Sequence, residues 1–135
     1  GSEMCIRDRC FAGRMINKNP ELSRYVYICS AYNAETEEGR TANAALAEKY
    51  CRCVVNEGNI PIAPHAYFTK FMDDQNEVER SLGQEIGIEL LKKADSMIVL
   101  IRNERISAGM EREIKYAANK LGIPIDINYL DRKGR

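Results

Sequence analysis

The segment Ser107-Ala108-Gly109-Met110 leads a polar loop into a helical stretch that carries Glu113. Serine at a helix start accepts a hydrogen bond from an amide of the first turn, so Ser107 reads as an N-cap. Gly109 has no side chain to keep a ligand off the backbone, and the free amides of a helix start suit an anionic group. Glu113 falls one turn inside, beside Met110 and Ala117 at the edge of the apolar stripe. A carboxylate there is partly shielded from water and aimed towards the end of the preceding strand, which suits a nucleophile or a base. The competing reading is structural, since glutamate in the first turns of a helix offsets the helix dipole.

Other residue types with chemical potential fall in two further loops. His65 is the only histidine of the chain and sits in a P-H-A-Y-F loop. It can contact a ligand or act as an acid near neutral pH, or it can simply be locked by hydrogen bonds beside a proline. Tyr67 and Phe68 can stack on a base or close the top of the core. Ser30, Tyr32 and Asn33 follow the first apolar run, and Arg40 lies further along the same loop. Asp73 or Asp74 offers a carboxylate from the second loop. Asn43 reads as a tie between loop and helix, Asp95 as a strand cap, and Glu111, Arg112 and Lys115 as a solvated helix face.

These residues are held by alternating strands and helices. Arg24 to Ser30 and Ser96 to Ile101 are nearly continuous apolar runs rich in β-branched and aromatic residues, as in strands buried on both faces. Ile60 to Ala63 is a shorter strand, placed at an edge by Pro61. Ile125 to Ile127 is a fourth. Helical periods run from about Thr41 to Glu57, closed by Gly58, and along Val78, Leu82, Ile86 and Leu90 up to Lys92 and Lys93. Met110, Ile114, Ala117, Ala118 and Leu121 mark the inner face of the last helix, which Gly122 and Pro124 stop. The alternation predicts a three-layer α/β/α domain on a four- or five-stranded, mainly parallel sheet, flavodoxin- or Rossmann-like. Ligands in such sheets bind beyond the carboxyl ends of the strands, where the three loops converge.

Composition bounds the function. The 135 residues fit one domain, expected over residues 21–130, after a lead-in of residues 1–20 and before a basic tail of residues 131–135. Gly1 and Ser2 read as a tag scar, and Met15 as a natural start. Lys plus Arg equals Asp plus Glu at 20 each, which argues against a domain that grips a nucleic-acid polymer through its phosphates. The longest apolar run, Met97 to Ile101, is far short of the roughly 20 residues that cross a bilayer. Five cysteines at irregular spacing read as reduced thiols of a cytoplasmic protein, and Cys51 and Cys53 point apart on their helix, which disfavours zinc. No metal or redox cofactor is implied.

Three segments, YICSAY at 27–32, PIAPHAYF at 61–68 and SAGMERE at 107–113, occur in this order at these places in the pattern. Together they resemble the nucleoside 2-deoxyribosyltransferase superfamily, and most of all its small phage and bacterial branch. The similarity spans about residues 24–126. The resemblance implies that Glu113 attacks the anomeric carbon of a nucleoside, that Tyr27 steadies it, and that Ser107 and Gly109 hold the sugar or phosphate. It also implies a homo-oligomer. The sequence departs from the family at Gly87, eight residues before Asp95, where the better-known enzymes carry an aspartate. It departs again at Asn33, where nucleotide-acting members have arginine; Arg40 is the substitute offered. Two functions follow. One is an enzyme that cleaves or exchanges an N-glycosidic bond. The other is a catalytically silent protein that sequesters a nucleotide-derived signal of the ADP-ribose or cyclic-nucleotide type.

Overall fold

Tyr25–Cys29 and Ser96–Ile101 bring side chains that need cover on both faces, and each becomes a central strand. The computed structural model describes residues 24–31, 36–73 and 75–130. The expected lead-in and basic tail lie outside the described residues. Strands β1 (Tyr25–Cys29), β2 (Ile60–Ile62), β3 (Ser96–Ile101) and β4 (Ile125–Tyr129) form a four-stranded sheet of order β2-β1-β3-β4 in which every pair is parallel. Helices α1 (Glu37–Asn56), α2 (Glu77–Leu91) and α3 (Ala108–Tyr116) alternate with them, and a π-helical turn, Ala117–Leu121, prolongs α3. This is the expected α/β architecture of flavodoxin-like strand order, with four strands among the described residues.

Successive side chains of a strand point to opposite faces, so β1 and β3 each feed two cores. Val26, Ile28, Ile98 and Leu100 pack against Ala47, Tyr50 and Val54 of α1. Tyr27, Cys29, Met97 and Val99 pack against Ile88 and Leu91 of α2 and Met110 of α3. Asp95 fixes where the two strands begin: its carboxylate accepts from the Tyr25 amide at 2.8 Å, and its own amide donates to the Tyr25 carbonyl at 2.7 Å. Pro61 is tolerated because β2 is an edge strand.

Element boundaries differ from expectation where polar residues interrupt the pattern. Helix α1 starts at Glu37 rather than near Thr41 because the Thr36 hydroxyl caps it, accepting from the Gly39 amide at 3.0 Å. Strand β4 continues through Asn128 and Tyr129, which pair with Leu100 and Ile101. The largest departure is α2. The helical period is there, but Val78 and Leu82 are exposed; the buried residues are Gly87, Ile88 and Leu91, with Leu90 partly buried against the same core. A step of four residues overshoots one helical turn, so such a row drifts around the helix instead of holding one face. The cysteines also differ: Cys29 and Cys51 are free thiols, but Cys53, which faces the α1 core, is disulfide-bonded rather than reduced. Among the described residues no helix is long and apolar enough to cross a membrane.

Asn128 is fully buried, and neither atom of its amide has a hydrogen-bond partner. Leaving a buried polar group unsatisfied costs about 1–3 kcal/mol. Asn128→Leu, which keeps the branching at Cγ, is therefore expected to raise the urea midpoint of unfolding. A lower midpoint would contradict the view that this amide is a stability defect.

Candidate functional site

The three loops meet at the carboxyl ends of β1, β2 and β3. After β2, Pro64 opens a 3-10 turn over Pro64–Ala66, and its fixed φ suits that first position. The Ala66 amide donates to Ala63 and the Tyr67 amide to Pro64, which sets the direction of the His65 ring. After β3, Ser107 caps α3 as expected, accepting from the Met110 amide at 3.1 Å. That cap places Glu113 one turn along, facing inward, with 3% of its surface exposed.

His65 and Glu113, far apart in the chain, meet here: Nε2 of the imidazole lies 3.1 Å from Oε2 of the carboxylate. The other oxygen, Oε1, is buried with no hydrogen-bond partner. Tyr27 approaches from β1. A Cβ on Gly87 would stand 3.2 Å from Glu113 Oε2 and 3.3 Å from the Tyr27 hydroxyl, so both groups lie against the bare Cα of that glycine. Burial, and then the neighbouring Glu113 charge, raise the Tyr27 phenol above its ordinary value. The two are close enough to feel each other's charge, yet the hydroxyl meets no acceptor at hydrogen-bond geometry. The Cys29 thiol, 3.9 Å from the Met110 carbonyl, is raised by the same two causes in the same order. Glu113 thus sits among a neutral phenol, a neutral thiol and an imidazole.

Above this group opens a cavity of about 660 Å³. Its floor is Ser30, His65, Met110 and Glu113, and the Ser30 hydroxyl is buried without a partner. Ser107, Ala108 and Gly109 form one rim and Phe68 another. The remaining wall is the polar half of α2, with Glu77, Arg80, Ser81 and Gln84. Buried carboxylate, imidazole and hydroxyl below, and cationic and amide groups at the rim, suit a ligand with a reactive centre at one end and an anionic or strongly polar end. Among the described residues no group of three or more His, Cys, Asp or Glu is arranged to hold a metal ion.

The structure therefore brings Ser30, His65, Ser107, Gly109, Met110 and Glu113 to one cavity, with Tyr27 behind its floor. It does not bring Arg40 or Tyr67 there. Arg40 lines a separate depression on α1 with Thr41, Ala66 and Lys70. Tyr67 is turned outward and meets Phe68 edge-on, with ring centres 5.0 Å apart. Asp73 is absorbed by the turn before α2, where it accepts from the Gln75 amide at 2.9 Å. Tyr32, Asn33 and Asp74 lie outside the described residues. The wall residues of α2 were not expected. Their signal was present: positions 77, 80, 81, 84, 87, 88 and 91 keep one helical face, polar in its first half and apolar in its second.

Residues 24–128 match the family described as a domain of unknown function, DUF7768. No curated protein matches the chain in sequence. The fold is similar to that of a 2-deoxyribosyltransferase from Bacillus psychrosaccharolyticus, at a TM-score of 0.53 and 17% identity over 78% of this chain and 72% of that one. It is also similar to a 2-deoxyribosyltransferase from Leishmania mexicana, at a TM-score of 0.58 and 16% identity. That match covers 81% of this chain and 66% of the other. The chain thus has the flavodoxin-like α/β fold found in deoxyribosyltransferases.

Two predictions follow from this packing. Gly87→Ala would gain about 1 kcal/mol of helix propensity but lose about 1–3 kcal/mol by crowding two buried polar groups. The expected net result is lower stability and a displaced His65 imidazole resonance in NMR spectra; an unchanged resonance would refute the crowding. The second concerns Tyr27. With a folded-state pKa above the unfolded value of about 10, its contribution to stability is intact below pH 10 and declines as pH rises beyond that. Tyr27→Phe should leave the phenolate absorbance of the folded protein near pH 10 unchanged, and reduce it only after unfolding.

Proposed function

The chain belongs to the DUF7768 family, and we propose that it binds a nucleoside or nucleotide and cleaves or transfers the N-glycosidic bond with Glu113 as nucleophile. One observation carries this reading: a carboxylate at the floor of a nucleotide-sized cavity has one oxygen held by His65 and the other, buried, left free. A carboxylate in that state can bond to an oxocarbenium-like carbon. The likeness in fold to 2-deoxyribosyltransferases supports the same chemistry.

In this reading the sugar lies over Glu113, and Oε1 attacks the anomeric carbon. The carbon–nitrogen bond breaks and its electrons leave with the base, which takes up a proton. His65 is the group on the floor with a ring nitrogen able to hand one over. Water or a second base then gives a proton back to His65 as it attacks the same carbon, the ester to Glu113 breaks, and the carboxylate returns. Tyr27, kept neutral by its surroundings, lies beside the carboxylate and can hydrogen-bond to it once the ligand has rearranged the floor. Ser107, the amides of Ala108 and Gly109, and Arg80 receive a phosphate or the sugar hydroxyls; Arg80 has no ionic partner among the described residues. Phe68 and Gln84 border the space for the base.

A second reading has a specific observation in its favour. Gly87 leaves α2 without a carboxylate next to Glu113, at the position where the resemblance to 2-deoxyribosyltransferases implies an aspartate. On that ground the protein keeps the pocket and holds an intact nucleotide-derived signal.

Mass spectrometry of small molecules separates the two readings. The pure protein is incubated with deoxynucleosides, nucleoside monophosphates, NAD, cyclic ADP-ribose forms and cyclic dinucleotides, beside Glu113→Gln. Free base or a new nucleoside from the wild type, reduced at least about a thousandfold in Glu113→Gln, is expected. Equal turnover by the variant would refute the role of Glu113. A compound depleted from solution and recovered intact from the denatured protein would establish the binding reading instead.

A further inference from the structure

Two oxygens of the cavity floor lack a partner among the described residues. Ser30 and Glu113 each expose 3% of their surface, and neither the Ser30 hydroxyl nor Glu113 Oε1 meets a hydrogen-bonding group. They share the floor, and Ser30 directly follows Cys29, whose thiol is near enough to feel the Glu113 charge. Their needs are complementary. An ionised carboxylate only accepts, whereas a serine hydroxyl also has a proton to give. A single hydroxyl set between them answers both, because it donates to the carboxylate and accepts from the serine. Solvent can fill that place while the cavity is open. A sugar seated over Glu113 displaces the solvent, and must then supply the same hydrogen bonds or lose affinity.

We propose that the sugar of the substrate is a ribose, and that Ser30 and Glu113 together recognise its 2′-hydroxyl. The inference rests on the glycosidic reading above and adds the class of sugar to it. In a β-nucleoside the base leaves from one face of the ring, so a carboxylate that displaces it approaches C1′ from the opposite face. On a ribose the 2′-hydroxyl projects from that opposite face, on the carbon bonded to C1′. The 3′-hydroxyl projects there too, but one carbon further from the centre under attack. With Glu113 beneath C1′, the 2′-hydroxyl is therefore the sugar hydroxyl nearest the carboxylate. It donates to Glu113 and accepts from Ser30. The Ser30 contact persists through the attack, since it does not involve the reacting oxygen. A 2-deoxyribose presents only C–H at that place and leaves two desolvated oxygens unpaired, which costs more than a missing contact at an open surface. This preference sets the chain apart from the 2-deoxyribosyltransferases that share its fold.

Ribonucleoside 5′-monophosphates and their 2′-deoxy counterparts, with the corresponding nucleosides, are the probes. Ribosyl and 2-deoxyribosyl bonds differ in intrinsic lability. The quantity to read is therefore the change in their kcat/KM ratio on mutation, a cycle that crosses a protein group with a ligand group. Ser30→Ala is expected to lower kcat/KM for each accepted riboside at least about tenfold more than for its deoxy counterpart. Ser30→Cys, of similar size but with a weakly hydrogen-bonding thiol, is expected to act in the same direction. Equal losses on the two sugars would overturn the proposal and leave the role of Glu113 standing. So would turnover confined to deoxyribosides. If the Ser30 variants do not fold, equilibrium dialysis against Glu113→Gln decides instead. The ribonucleotide should bind at least about tenfold more tightly than the deoxynucleotide, and equal affinity would overturn the proposal. A wild type that turns over none of the probes would remove the glycosidic reading itself, and this inference with it.

Discussion

The contact between His65 and Glu113 is the constraint on which the rest of the site depends. A carboxylate taken out of water must be compensated by nearby donors or it destabilises the fold by several kcal/mol. Here the compensation comes from His65, on the turn after β2; Tyr27 and Cys29 of β1 stand beside the carboxylate as neutral groups, and the α3 cap after β3 fixes where it sits. Each of these has a separate cause in the sequence. Pro64 sets the turn, Ser107 sets the start of α3, and the alternation of β1 sends Tyr27 and Cys29 to the same face. Gly87 supplies the last condition by omission, because any larger residue would press on Glu113 Oε2 and the Tyr27 hydroxyl.

The compensation is incomplete, and the gap has a direction. Glu113 Oε1, the Tyr27 hydroxyl and the Ser30 hydroxyl are buried without hydrogen-bond partners, and all three lie at or beneath the cavity floor. Native interiors leave few polar atoms in that condition, and each one calls for an explanation. Asn128 shows the contrasting case: equally unsatisfied, it lies in strand β4 and lines none of the cavity just described. Position, rather than the number of unpaired atoms, is what supports the role proposed for the floor.

Much of this was legible in the residues. The central strands were readable because their apolar runs leave no polar face, and Ser107 and Glu113 because cap and carboxylate have a fixed helical spacing. His65 was visible as a type but not as a partner, since no local pattern connects it to a residue 48 positions away. Helix α2 was misread for a physical reason. Half of its inner face is polar, because that half borders a cavity and not a core, while the conspicuous apolar residues Val78 and Leu82 lie on its outer face. Arg40 was placed at the site by its position after β1, but the Thr36 cap starts α1 early and carries Arg40 onto the helix surface, away from the cavity.

The central claim, that Glu113 Oε1 is placed to bond to the anomeric carbon, is tested most directly by looking for that bond. The protein is mixed with a substrate identified by product analysis, quenched in acid during turnover, digested and mapped by mass spectrometry. The account predicts a glycosyl ester on the peptide containing Glu113, absent from Glu113→Gln. Turnover in which no adduct forms there, or in which the adduct lies on another residue, would contradict it.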